Sequence, residues 1–195
     1  MIVTYCNIGF CLNNYYKRKQ YADGLELLRL SNTDSLTGIF NRSKFNEEFK
    51  KWTDYSNTYE NDISLVFFDI DNFKRVNDNY GHMAGDKVIK DIALSIQSKI
   101  RSTDIFARWG GEEFVILLPN TGNNQAAEMA ERMRVAIENV TCSEWGNITC
   151  SFGIATLKKN ESADSFINRG DKLLYEAKRC GKNTVVYETE IFEEA

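Results

Sequence analysis

The stretch "FARWGGEEFVILLP", residues 106–119, sets two glycines and two glutamates between apolar runs that each have the composition of a β-strand. Two glycines between such runs signal a hairpin, so residues 104–109 and 113–119 read as antiparallel neighbours. A second acidic strand end lies upstream. "ISLVFFDI", residues 63–70, is a continuous apolar run suited to a strand covered on both faces, and it closes on Asp69, Ile70 and Asp71. Carboxylates ending a buried strand are costly unless a cation or hydrogen-bond donors meet them. Alternation along the strand puts Asp69 and Asp71 on one face. If strand 63–70 lies beside the hairpin, the two strands hold Glu112 opposite Asp69. Oxygen-only ligation of that kind suits magnesium, which is commonly held by one or two carboxylates plus substrate phosphates. Such a site serves phosphoryl transfer. The plainer alternative for Gly-Gly-Glu-Glu alone is a hairpin with solvated glutamates.

The rest of the chain arranges itself around these strands. Ser31 to Asp34 is a cluster of helix-capping residues, and a polar turn from Thr37-Gly38 to Asn41-Arg42 precedes an amphipathic stretch, Ser43 to Trp52. After a turn at Tyr80-Gly81-His82, apolar residues recur at Val88, Ile89, Ile92, Ala93, Ile96 and Ile100, a helical period over Ala84 to Ile100. A helix over about 123–140, a strand over 147–156, a helix over about 162–179 and a last strand over 183–188 follow. The order reads β-α-α-β-β-α-β-α-β, an α/β (α+β) sandwich in which helices flank a central mixed sheet. Upstream, Tyr15 to Leu30 carries Leu25, Leu27, Leu28 and Leu30 among charges, an N-terminal helix able to pair with its copy. The boundary falls near residue 31, leaving an N-terminal segment, 1–30, and a domain, 31–190.

At 195 residues and 43% hydrophobic content the chain is sized for one core. A net charge of −4 provides no broad basic surface, so a nucleic-acid polymer is not the expected partner. The five cysteines, Cys6, Cys11, Cys142, Cys150 and Cys180, show no zinc-binding spacing and read as reduced thiols of a cytosolic protein. "MIVTYCNIGFCL", residues 1–12, falls short of the roughly 20 residues that span a bilayer, yet Lys17, Arg18 and Lys19 follow it as they follow a span on the cytoplasmic side. Two readings stand: the end of a span that attaches the domain to a membrane, or an apolar N-terminal helix.

The residues between the acidic sites favour chemistry over a solvated hairpin. "DIDNFKRVNDNYGHMAGD" (69–86) followed by "RWGGEEF" (108–114) resembles the GGDEF family of diguanylate cyclases. The resemblance takes in "DSLTGIFNR" (34–42), "DKLLYEAK" (171–178) and "GKN" (181–183), and covers roughly residues 31–188. It implies a fold like that of nucleotidyl cyclases and polymerase palms. It also implies condensation of two GTP molecules into cyclic di-GMP and two pyrophosphates, with each domain of a homodimer holding one GTP. By position, Asp69, the carbonyl of Ile70 and Glu112 would bind Mg2+ on the triphosphate. Glu112 would also help deprotonate the ribose 3′-hydroxyl, and Lys74 would stabilise the transition state. Lys178 and Lys182 would contact phosphates. Asp86, assisted by Asn77, matches the guanine-reading positions, and an ionised Asp suits the N1 and N2 donors of guanine. His82, the one histidine, would lie at the substrate or pack at a helix start. Glu113 would alternate away as a supporting residue.

Arg101 and Asp104, five residues before the glycines, resemble the family's inhibitory site for cyclic di-GMP, with Arg132 as the second arginine. Two departures are visible: Gly170 where the family usually has Ala, and Lys182 where Arg is common, a change that replaces a bidentate fork by a point charge. Two other classes remain at this level. One is a catalytically silent domain that binds GTP or cyclic di-GMP for a partner. The other is a cyclase for adenine nucleotides, which Asp86 disfavours. An upstream sensor is the expected source of control.

Overall fold

The computed structural model describes residues 15–21, 23, 31–140 and 146–188. A two-residue strand, β1 (Phe40–Asn41), leads into α1 (Arg42–Tyr59), which Asn41 caps by accepting from the Lys44 backbone N at 2.9 Å. The sequence pattern shows a polar turn and an amphipathic stretch reaching only Trp52. The helix runs on because Thr53 and Ser56 are buried and return their hydroxyls to main-chain carbonyls, the first to Phe49 and Lys50 and the second to Asn61. Then come β2 (Ile63–Ile70), α2 (Phe73–Tyr80), α3 (His82–Gln97), β3 (Ile105–Gly110) and β4 (Glu113–Pro119). The chain closes with α4 (Asn123–Val140), β5 (Cys150–Thr156), α5 (Ala163–Arg179) and β6 (Val185–Tyr187).

The sheet order is β1-β3-β4-β2-β5-β6. β2 pairs antiparallel with β4 and β5, and β3 antiparallel with β4. The outer pairs, β1 with β3 and β5 with β6, are parallel. The expected mixed sheet flanked by helices is thus observed, and β2 lies inside it, buried at every residue. Strand alternation divides the core in two. Val66, Phe68 and Ile70 face α2, α3 and α4, where Phe68 stacks between Phe114 and Phe152 with ring centroids 5.0 Å apart on both sides. Leu65 and Phe67 face α1 and α5 and pack with Phe45, Phe49, Phe166 and Leu174. Each such side chain contributes about 1.5–3 kcal/mol by leaving water. On this second face α5 lies directly on β5: a methyl at Gly153 would stand 2.0 Å from the Leu174 backbone N. That closeness brings the end of α5 to the end of β2.

Residues 15–21 and 23 are helical, while Leu25, Leu27, Leu28 and Leu30 of the expected leucine face lie outside the described residues, as do Cys6, Cys11 and Cys142. Cys150 and Cys180 are free thiols. Among the described residues no helix is long and apolar enough to cross a membrane.

Candidate active site

The end of β2 meets the hairpin as expected, with a different register. Glu113 stands directly across from Asp69, while Glu112 lies in the turn, its carbonyl accepting from the Ile70 backbone N at 3.3 Å. Directly opposed residues of an antiparallel pair share a face, so Glu113 does not alternate away from Asp69. Both glutamates act on it. Burial pushes the Asp69 carboxyl up from 3.8 to about 6, Lys178 pulls it back, and the charges of Glu112 and Glu113 push it further up. Lys178, from the last turn of α5, places Nζ 2.9 Å from Asp69 Oδ2. Asp69 is thus a buried carboxylate among like charges with one lysine beside it, a setting that a divalent cation would relieve. The Asp69 carboxylate, the Ile70 carbonyl and the Glu112 carboxylate are hard oxygen donors, the kind that would hold magnesium. Asp71, on the same face, is buried and saturated: it accepts from Thr149 Oγ1 at 2.7 Å, Ser151 Oγ at 2.6 Å and the Asn183 backbone N at 2.9 Å.

The hairpin is held by contacts the sequence did not announce. Its turn is Gly111-Glu112, and neither Gly110 nor Gly111 has a positive φ. A methyl at Gly111 would meet nothing within 4 Å among the described residues, so the space before it is open. Arg108 donates from Nε and Nη2 to the Gly111 carbonyl at 2.9 and 2.8 Å and from Nη1 to Asp34 Oδ1 at 3.2 Å. Burial pushes the Asp34 carboxyl up, but bonds from Thr37 and Arg108 outweigh it and hold the group below its ordinary value. The ladder shifts register between Arg108 and Gly110, a bulge that re-aims Trp109. Trp109 packs edge-on against Phe45 and Phe67, and the Arg42 guanidinium lies 4.0 Å from its ring centroid. "DSLTGIFNR" was visible as a motif, but its bond to the hairpin spans 74 positions and has no local signature.

Lys74 and Asn77 lie on α2, and His82 and Asp86 on the following helix, α3. Lys74, His82 and Asp86 are exposed and Asn77 is half-buried. A methyl at Gly85 would stand 2.1 Å from Asn77 Oδ1, so the glycine lets Asn77 lie against α3 one residue from Asp86. Lys182 takes a positive φ of 66° after α5 and donates from Nζ to Asn72 Oδ1 at 2.6 Å, close to the end of β2. The structure therefore groups Asp69, Ile70, Glu112, Lys178 and Lys182 at the end of β2, and places Asn77 and Asp86 on the adjoining helices.

Arg101 and Asp104 form a turn between α3 and β3. The Arg101 backbone N donates to Asp104 Oδ2 at 2.8 Å, and the Asp104 N to the Arg101 carbonyl at 3.1 Å. Burial pushes the Asp104 carboxyl up, and its Oδ1 is buried with no hydrogen-bond partner among the described residues. Both residues line a cavity of about 430 Å³ with Gly38, Phe40, Gln97 and Phe106. Arg132 stands exposed on α4.

A family profile described as "Diguanylate cyclase, GGDEF domain" matches residues 31–184. The chain belongs to the GGDEF family. It is 42% identical over 154 residues to diguanylate cyclase DgcP of Pseudomonas aeruginosa, covering 77% of this chain and 23% of that protein. With diguanylate cyclase DgcM of Escherichia coli the identity is 38% over 161 residues, 83% of this chain and 39% of the relative. The chain thus spans less than half the length of these curated relatives. Among solved GGDEF structures, the coiled coil and GGDEF domain of DgcB from Caulobacter crescentus, in complex with c-di-GMP, superposes with a TM-score of 0.83 at 32% identity, covering 90% of this chain and 96% of that one. The active GGEEF domain of a diguanylate cyclase from Vibrio cholerae gives 0.73 at 32% identity, covering 77% and 97%.

Proposed function

We propose that this chain is a diguanylate cyclase that condenses two GTP into cyclic di-GMP and two pyrophosphates between the facing sites of a homodimer. The observation that carries the reading is the convergence of Asp69 and Glu112 at the end of β2, where burial and mutual repulsion leave a shortage of positive charge. The intact "GGEEF" at 110–114 supports catalysis over a silent binding domain, since the GGEEF domain from Vibrio cholerae with the same signature is described as active.

Asp69, the Ile70 carbonyl and Glu112 would hold Mg2+, which when bound neutralises triphosphate charge and acidifies a nearby hydroxyl. Glu112, in the turn, takes the proton of the ribose 3′-hydroxyl. Lys178 and Lys182 bind the phosphates, with Lys178 leaving Asp69 for the incoming anion. Lys74, exposed on α2, neutralises charge that develops as the phosphorus–oxygen bond to pyrophosphate breaks. Asp86 and Asn77 accept from and orient the guanine edge, and His82 packs beside it. The open space at Gly111 leaves room for the second nucleotide. Arg101 and Arg132 offer their guanidinium groups to cyclic di-GMP, with Asp104 holding the Arg101 turn, which makes the enzyme product-inhibited. The domain works on the cytoplasmic side, with an upstream segment supplying membrane attachment or a sensor.

Incubating the purified chain with GTP and magnesium and separating the products by chromatography tests this reading. Cyclic di-GMP is expected, with Glu112→Ala inactive. A verified dimer that makes none, or a Glu112→Ala variant as active as wild type, overturns catalysis in favour of a nucleotide-binding module.

A further inference from the structure

The loop after α5 passes through three consecutive residues with positive φ: Gly181 at 109°, Lys182 at 66° and Asn183 at 45°. Glycine adopts this geometry freely, but a lysine and an asparagine in succession keep it only where their surroundings over-determine it. Two groups do so from different elements. Asp71, just past the end of β2, accepts from the Asn183 backbone N at 2.9 Å while Thr149 and Ser151 hold its carboxylate. Arg134, on α4, donates from Nη1 to Asn183 Oδ1 at 2.7 Å. Glu131 accepts from its Nη2 at 2.7 Å, and Glu138 from its Nη1 at 3.1 Å and from Asn183 Nδ2 at 3.3 Å. Ion pairs with Glu131 and Glu138 alone would suit any helix surface. The bond to Asn183 is different, because it ties the helix to a loop 49 residues away. Arg132, on the same helix, is exposed, whereas Arg134 is half-buried.

We infer that Asp71 and Arg134 are positioning residues: they lock the left-handed loop so that the Lys182 ammonium stands at the mouth of the site and receives the phosphate chain of the nucleotide. The inference rests on the nucleotide site proposed above. Neither residue touches the nucleotide, so both act through Lys182. Their effect grows with the number of phosphates and leaves recognition of the base, by Asn77 and Asp86 on other elements, unchanged.

Dissociation constants of GTP and GMP, measured with magnesium on the full chain, test this. Arg134→Met keeps the apolar stem and removes the guanidinium. It should weaken GTP about tenfold, the worth of one charge-assisted phosphate contact, and leave GMP within about twofold. In a Lys182→Ala background it should add nothing. Arg134→Lys, which keeps the charge and one donor, should fall between wild type and Arg134→Met, and it carries the test if the Met variant does not fold. Equal losses for GTP and GMP, or additive losses in the double variant, overturn the inference and leave the cyclase reading standing. A Lys182→Ala variant that binds GTP like wild type removes the phosphate role of Lys182, and the inference falls with it.

Discussion

Asp69→Asn should stabilise the fold while abolishing its chemistry. Burial pushes the Asp69 carboxyl up from 3.8 to about 6 even with Lys178 beside it. The folded protein therefore holds this proton more tightly than the unfolded chain. Stability accordingly falls as the pH rises from about 4 to about 6 and stays reduced above that window. The interval corresponds to at most about 3 kcal/mol at neutral pH. Water around the part-exposed Lys178 screens the charges and lowers this to roughly 1–2 kcal/mol. Asparagine carries no charge at any of these values. Asp69→Asn should therefore gain about 1–2 kcal/mol at pH 7, about half of that near pH 5, and almost nothing near pH 4. Urea unfolding in the presence of a chelator, comparing midpoints at unchanged slope, measures the difference. A variant less stable than wild type at neutral pH, or a difference that does not vary with pH, would refute the reasoning. Cyclase activity, assayed in parallel, should be lost.

Three other substitutions probe separate parts of the site. Gly85→Ala places a methyl 2.1 Å from Asn77 Oδ1 and should raise KM for GTP roughly fivefold; in an Asn77→Ala background, steady-state kinetics should show little further change. Arg101→Ala should leave the initial rate intact and weaken inhibition by added cyclic di-GMP about tenfold or more, the loss of one charge-assisted contact, as read from progress curves. Arg108→Leu strips the Gly111 carbonyl of its side-chain donor and leaves Asp34 only its Thr37 donors; melting should show a loss of roughly 1–3 kcal/mol, and kcat should fall as the turn holding Glu112 loosens.

The residues that report locally were legible in the sequence. The unbroken apolar run 63–70 suits a covered strand, which it forms, and its acidic end does lie beside the glutamate hairpin. What escaped depended on register and on distance along the chain. Nothing near Glu112 and Glu113 says which of them faces Asp69, because the bulge at Trp109 and the two-residue turn decide it. The pairing of β1 with β3 is two residues long, below any periodic signal. Asp71 looked like Asp69 in the sequence, and only the donors from Thr149, Ser151 and Asn183 show that its carboxylate is already engaged. Arg134 was invisible for a similar reason: its neighbours Glu131 and Glu138 sit at ordinary helical spacing, and its distant partner Asn183 does not.

The two outer strands of the sheet are its shortest, β1 with two residues and β6 with three. A long open edge would offer a row of unpaired amides to any second copy of the chain. In the homodimer proposed above, two half-sites meet, react and part, which calls for reversible encounters. Clipped edges discourage the one kind of association, strand joined to strand, that would turn a transient partnership into a permanent aggregate.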